Sequence, residues 1–114
     1  QNYMKSDRRR AVNGASPNFI HSLDSAAMTF TINNCVDVGI TDFAMVHDSY
    51  GVHASLVPKL YEQTRASFVR MYEQNDVLEQ FKGFALEVVD EVPTPPQKGS
   101  LDLSLVKESK YFFA

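Results

Sequence analysis

This sequence contains a single cysteine and no tryptophan, and it has neither a surplus of basic residues nor a long apolar run. The one cysteine, Cys35, excludes an internal disulfide, and we expect it to be a small core residue. Eleven basic against 14 acidic residues give a net charge of −3, unlike the basic surface of an autonomous nucleic-acid-binding domain. No stretch approaches the ~20 apolar residues of a membrane helix. We therefore expect no membrane partner. If the chain contacts nucleic acid, most of the binding to phosphates must come from residues outside this sequence.

The 114 residues suit one domain, which we divide into three segments. Residues 1–17 are predicted to form a polar approach, with turn signals at Asn13-Gly14 and Ser16-Pro17. Residues 18–92 hold the predicted helices and a hairpin. Residues 93–114 begin as a proline-rich linker, which favours neither helix nor central strand, and end on aromatic residues.

Apolar spacing predicts a helix before the hairpin and a longer one after it. The first spans residues 24–38, with Ser22 or Asp24 as its cap and Gly39 as the left-handed residue that closes it. The second, over 55–74, has the stronger three- and four-residue periodicity.

The polar face of the second helix and its flanking residues are also predicted. Pro58 is tolerated in the first turn, where no intrahelical donor is lost, and Arg65 is expected to face away from the apolar side. Asp76 is expected to cap a further helical stretch, which continues through Phe84–Val92.

Residues 42–54 predict an antiparallel hairpin with an acid at its tip. The apolar run Phe43–Val46 leads into His47-Asp48, and aromatic and β-branched residues resume just after it. Helices packed on one face of such a small sheet give an α+β fold. Two strands alone are marginally stable, so we expect a third strand from sequence outside this chain.

The residues alone leave several roles open. Asp48 is either a Mg²⁺ ligand, since magnesium prefers carboxylate oxygens, or a turn aspartate. His47 either positions a phosphate or is half-buried, and His21 either contacts nucleic acid or caps a helix. Tyr111-Phe112-Phe113 docks near an active centre, anchors the terminus to a core, or does both. Zinc is disfavoured, because the histidines lack zinc-helix spacing and Cys35 has no thiol partner.

Three motifs occur in order and at suitable separations: Pro17–Ser25 (PNFIHSLDS), Val46–Gly51 (VHDSYG) and Lys110–Ala114 (KYFFA). Together they resemble the C-terminal end of the single-subunit, bacteriophage-type DNA-dependent RNA polymerases, whose mitochondrial and chloroplast relatives share the pattern. The resemblance covers residues 13–114. It implies a right-hand polymerase fold, of which this chain would be the last part of the palm and fingers.

The resemblance also implies roles for individual residues. Asp48 and His47 match the catalytic motif on the palm hairpin, with Asp48 holding the catalytic Mg²⁺ ions. His21 matches a histidine that contacts the nucleic-acid hybrid, and Phe113-Ala114 match a C-terminal foot near the active centre. The implied partners are a DNA template, the RNA product and ribonucleoside triphosphates. The implied reaction is two-metal nucleotidyl transfer, in which the RNA 3′-hydroxyl attacks the α-phosphate.

Parts that this family needs are absent from the sequence. They are a second metal-binding aspartate, a fingers helix with its lysine and tyrosine, and a promoter-binding region. The chain also opens on Gln1-Asn2-Tyr3-Met4, without an initiator. We therefore expect a piece of a longer polymerase that is inactive without the remainder of that chain.

Two details bear on the source. Ser49-Tyr50-Gly51 resembles the phage form, which predicts the cytoplasm of a phage-infected host. The aromatic terminus resembles organelle enzymes, which keeps the mitochondrial matrix as the alternative.

Other protein classes are weaker matches. A family A DNA polymerase also has a His-Asp hairpin, but typically places glutamate where Ser49 stands. Phosphohydrolases with a His-Asp pair place it on a helix with further ligands. A non-enzymatic interaction domain that uses the aromatic terminus remains a third alternative.

Overall fold

The computed structural model describes residues 6–113, which form four α-helices and one antiparallel hairpin. This confirms the predicted α+β class, whereas the place of the chain in a palm or fingers stays a prediction. A 3₁₀ turn at Ala54–Leu56 precedes the second helix. The elements are α1 (Arg8–Asp37), β1 (Ala44–Val46), β2 (Ser49–Gly51), α2 (Val57–Gln74), α3 (Val77–Leu86) and α4 (Leu105–Glu108).

Helix α1 begins at Arg8, well before the predicted start at residue 24. The Asp7 carboxylate caps it by accepting from the amides of the two arginines that follow Arg8, at 3.0 and 3.2 Å. Pro17 lies inside the helix. The predicted turns and the predicted caps at Ser22 or Asp24 are therefore wrong. Asp7 caps the start of the helix and its second half packs on α2, whereas the amide that Pro17 lacks removes only one hydrogen bond in 30 residues.

The end of α1 leads directly into the core. Gly39 has a φ of +89°, the left-handed conformation predicted for it. The Ile40 amide then donates to the Cys35 carbonyl at 3.0 Å, which turns the chain back on the helix. Cys35, Ile40 and Leu60 form the buried cluster, on which Tyr50 and other partly buried residues pack. Cys35 is thus the small core residue that was expected.

The hairpin consists of two three-residue strands joined by His47-Asp48. Its register pairs Ala44 with Gly51 and Met45 with Tyr50. A side chain at Gly51 would lie only 3.3 Å from the Ala44 carbonyl oxygen, so the strands approach closely there. Residues 6–113 supply no third strand.

Helix α2 packs along α1 and α4. Pro58 lies in its first turn, as predicted. The prediction for Arg65 is wrong, because its side chain is only 2% exposed. Three nitrogen atoms of its guanidinium group donate hydrogen bonds to backbone carbonyls, which permits burial of the charge.

Helix α3 is capped by Asp76, as predicted, whose carboxylate accepts from the Glu79 amide at 3.2 Å. It ends at Leu86, so the predicted continuation through Val92 is wrong. The amides of Glu87 and Val88 bond to carbonyls three residues back, which tightens the last turn. Among the residues described, no helix is both long and apolar enough to cross a membrane.

Candidate functional site

The tip of the hairpin faces α1 across an open groove of about 370 Å³. One wall is the hairpin turn and the other is the middle of α1. The groove is lined by His21, Asp24, Ser25, Met28, His47 and Asp48. The structure thus brings together three of the predicted site residues from two separate motifs.

The hairpin wall is built by His47 and Asp48, which form the two-residue turn. His47 has a φ of +53°, the one left-handed non-glycine residue among residues 6–113. Histidine tolerates this conformation better than most residues, and it lets the strands close on a two-residue loop. Both side chains are exposed. The half-buried alternative for His47 is therefore wrong, and Asp48 is presented to a cleft by paired strands.

The α1 wall is a single stripe of side chains. Three of its members, His21, Asp24 and Met28, follow one another at steps of three and four residues, so they share one helix face. His21 lies in mid-helix, which makes its alternative role as a cap wrong. Asp24 was predicted only as a cap. Its place in the groove would have followed from this spacing if the helix had been extended back through Pro17.

The carboxylates of Asp24 and Asp48 both influence the pKa of Tyr50, which lies beside the groove. The pKa of Tyr50 is raised above its ordinary value by burial and then by the negative charges of Asp24 and Asp48. The pKa of Tyr72 is raised by burial and, to a smaller extent, by Asp24. The carboxylates of Asp24 and Asp48 therefore give the groove a negative potential, which favours cations.

The C-terminal residues reach the same region. A second cavity of about 180 Å³ has Asp24, Asp48, Tyr50 and Phe113 in its lining. The Phe113 ring stacks on Tyr50 with centroids 5.0 Å apart. Phe113 thus lies beside the hairpin, whereas Ala114, predicted as part of the same foot, lies outside the described residues.

Other polar residues have local roles. The Nδ1 atom of His53 lies 2.8 Å from Ser55 Oγ and accepts from the Ser55 amide, so His53 caps the 3₁₀ turn. Arg8–Arg10 begin α1 and are exposed, with Arg10 paired to Asp7 at 3.6 Å. None of them lines the groove.

The carboxylates in the groove meet part of the requirements of a magnesium site. In the described portion of the chain, no group of three or more His, Cys, Asp or Glu side chains is placed to hold a metal ion. However, Mg²⁺ is usually held by one or two carboxylates, with waters and substrate phosphates completing its shell. Asp48, with Asp24 across the groove, suits one side of such a site. A magnesium site at this position would need further protein ligands from elsewhere.

The sequence also matches known proteins. The family model for DNA-dependent RNA polymerase matches residues 1–92. This chain belongs to the DNA-dependent RNA polymerase family. The resemblance read from its three motifs is thereby confirmed, and the match favours an RNA polymerase over the DNA polymerase alternative.

Individual relatives extend the match nearly to the end of the chain. The DNA-directed RNA polymerase of Enterobacteria phage K11 is 35% identical over 114 residues, 95% of this chain and 13% of its own length. The human mitochondrial enzyme is 35% identical over 96% of this chain and 10% of its own. The Arabidopsis thaliana DNA-directed RNA polymerase 2, chloroplastic/mitochondrial, is 41% identical over 92% and 10%. The chain thus spans about a tenth of these family members.

Proposed function

We propose that this chain is the C-terminal palm portion of a DNA-directed RNA polymerase, which adds ribonucleotides to RNA on a DNA template. One observation carries the proposal: in a member of this family, Asp48 lies on a hairpin tip and faces a groove shared with His21 and Asp24. A carboxylate held by strands is positioned better than one on a mobile loop. The cleft beside it leaves room for substrate.

Asp48 is the proposed metal ligand and, with His47, the proposed catalytic pair. In this role Mg²⁺ would supply activation of the RNA 3′-hydroxyl and stabilisation of the pyrophosphate leaving group. Asp48 contributes a carboxylate to one side of that site. His47 lines the same groove, and its exposed imidazole can donate a hydrogen bond to a phosphate oxygen bound there.

His21 is the proposed nucleic-acid contact. It lies on the opposite wall of the groove from His47, on the rigid helix α1. A hybrid whose end lies in the groove would therefore meet His21 on one side and the hairpin on the other. With a net charge of −3, the chain provides little general attraction for phosphates, so the remainder of the polymerase must provide it.

We also infer that the chain works only with the remainder of the polymerase. The donors in the groove suit one side of a metal site. Helix α3 presents large exposed apolar side chains, with Phe81 56% and Phe84 67% exposed, as expected of a surface that another part of the protein covers. The isolated chain is therefore expected to be inactive. Relatives from phage and from mitochondria fit either a host cytoplasm or a mitochondrial matrix.

The test is Asp48→Asn in the full-length polymerase. The variant keeps the shape of the side chain and removes its charge, so folding and hybrid binding should persist. Turnover should fall at least about a thousandfold, because metal stabilisation of the transition state is worth several kcal/mol. Single-nucleotide addition to a preassembled template–RNA hybrid measures kcat, and fluorescence anisotropy measures the affinity for the hybrid.

Asp42→Asn is the matched control. Asp42 is an exposed carboxylate just before β1, outside the groove lining. Its loss should leave kcat within about twofold of the unaltered enzyme, since a surface substitution away from the site rarely has a larger effect. Near-normal turnover in Asp48→Asn would rule out the proposed role.

A further inference from the structure

The C-terminal segment is fastened to α2 by one buried arginine. Arg65 Nε and Nη2 both donate to the Ser109 carbonyl oxygen, at 3.0 and 2.9 Å. Tyr61 Oη donates to the same oxygen at 3.0 Å. Arg65 Nη1 donates to the Tyr61 carbonyl at 3.2 Å, and its guanidinium carbon lies 3.2 Å from the centroid of the Tyr61 ring. We call Tyr61, Arg65 and Ser109 the latch.

The latch is suited to holding backbone in one place. A guanidinium group is planar and donates from fixed positions, so two bonds to one oxygen set both the distance and the direction of the carbonyl. Stacking on the Tyr61 ring restrains the plane of the group. Ser109 immediately follows α4 and has an extended backbone, so the latch fixes the chain at the point where it leaves that helix.

The fixed point lies just before the aromatic residues that reach the hairpin. Phe112 packs edge-on against Phe68 with centroids 4.8 Å apart, and it lies 5.8 Å from the Arg65 guanidinium carbon. Phe113 then stacks on Tyr50 at 5.0 Å. Tyr50 lies in β2, two residues after Asp48. A continuous series of contacts thus leads from Arg65 to the strand beside the hairpin tip.

We propose that Arg65 is a positioning residue for nucleotide addition: by holding Ser109, it places Phe112 against Phe68 of α2 and Phe113 against Tyr50 of β2, and so fixes the hairpin that carries Asp48. This inference rests on the proposed function. Arg65 itself does not line the groove, so it acts through the C-terminal residues 109–113, which we call the tail, and not on substrate.

The test compares Arg65→Lys with Arg70→Lys in the full-length polymerase. Lysine keeps the positive charge but loses the planar fork, whereas Arg70 lies exposed on the same helix and serves as the matched control. Hydrogen exchange of the peptide spanning residues 105–113 reports on the tail. It should become about tenfold faster in Arg65→Lys only, since charge-assisted bonds are lost. The kcat for nucleotide addition should fall by a similar factor.

A combination of variants separates positioning from general stability. Phe112→Ala with Phe113→Ala removes the rings through which Arg65 is proposed to act. Adding Arg65→Lys to that pair should then lower kcat no further, because the effect of Arg65 passes through these rings. Independent, multiplying losses of kcat would overturn the proposal. So would unchanged exchange of the tail, or faster exchange with unchanged kcat.

The two proposals fail in different ways. Hydrogen exchange of residues 105–113 does not depend on chemistry, so it tests the latch even if Asp48→Asn proves active. Conversely, Asp48→Asn could prove inactive while Arg65→Lys behaves like Arg70→Lys. That result would support the proposed function and contradict the positioning role of Arg65.

Discussion

Helices α2 and α3 both carry apolar side chains, but they bury these side chains to very different extents. We define the α2 core as the cluster of Cys35, Ile40 and Leu60 with the buried face of α2, and the α3 surface as the exposed apolar side chains of residues 77–89. Helix α2 has six buried residues, whereas α3 has none. Among residues 6–113, burial is therefore concentrated on α2 and on the elements that pack against it.

The C-terminal region shows the same contrast. Residues 109–113 are held by the latch and by ring stacking against α2 and β2. The segment before them runs past α3 around a cavity of about 320 Å³ lined in part by Pro95, Pro96 and Leu101, and Leu101 is 71% exposed. The tail beside the hairpin is thus packed, while the linker before it is loosely apposed to α3. The difference indicates that contacts within this chain are not sufficient to hold α3 and the linker in place.

The largest effect on stability is expected from Ile40→Ala. Ile40 is fully buried, and truncating such a side chain leaves a cavity that costs about 3 kcal/mol of unfolding free energy. Urea denaturation of the 114-residue chain measures the loss. Phe84→Ala is the contrasting variant, since its ring is 67% exposed, and it should cost less than about 0.5 kcal/mol.

The same pair tests the proposed cover over the α3 surface. In the full-length polymerase Phe84→Ala should become clearly more costly than in the 114-residue chain, because the ring would then be buried against another part of the protein. An equal, small cost in both proteins would contradict that cover. A cost of Ile40→Ala below about 1 kcal/mol would erase the contrast between the two regions.

A smaller effect is expected from Asp24→Asn in the groove. Removing this negative charge should lower the pKa of Tyr50 and of Tyr72 toward the ordinary value, but not fully, since burial is the larger cause of both shifts. NMR titration with ¹³C-labelled tyrosine measures both. Asp37→Asn, at the exposed end of α1, should leave them unchanged. Equal shifts in both variants would mean that Asp24 has no special place in the groove.

The smallest expected effect is on the pKa of Asp76, at the start of α3, and on the pH dependence of stability that follows from it. Hydrogen bonds from Lys98 and from the Glu79 amide lower the pKa of the Asp76 carboxyl below its ordinary value. Because the folded pKa is lowered, the stabilisation is present above the unfolded pKa of about 4 and is lost as pH falls through the folded value. Lys98 is 68% and Asp76 42% exposed, so both are accessible to solvent and added salt should weaken the effect.

Lys98→Ala checks this assignment. It should raise the pKa of Asp76 in a ¹³C NMR titration of its carboxyl, while leaving the α2 core untouched. Lys107→Ala, in the last turn of α4, provides the control. An unchanged Asp76 titration in Lys98→Ala would show that the 2.9 Å ion pair is not formed in solution.

The features that were predicted correctly are those with local causes. Gly39 closes α1 because a left-handed residue suits glycine, and Pro58 lies in the first turn because no donor is needed there. Asp76 caps α3 through an amide three residues away. His47-Asp48 joins two strands with a two-residue turn. In each case the interacting groups lie within a few positions of one another, so the order of residues is sufficient.

The errors occur where a distant contact outweighs a local signal. Pro17 and the Asn13-Gly14 pair are turn signals, yet α1 continues through them because its second half packs on α2. Phe84–Val92 has apolar residues suited to a helix, yet the helix ends at Leu86, and Val88 and Val89 beyond it are 84% and 47% exposed.

By itself, the sequence determined the family of this protein through its three motifs. It also determined the acid at the hairpin tip, the glycine that closes α1 and the Asp76 cap of α3, because these depend on neighbours along the chain. Only the tertiary structure decided that Asp24 shares a groove with Asp48 and that Arg65 is buried. The physical reason is distance along the chain: Arg65 finds its acceptor 44 residues further on, and such a pairing exists only once the helices have packed.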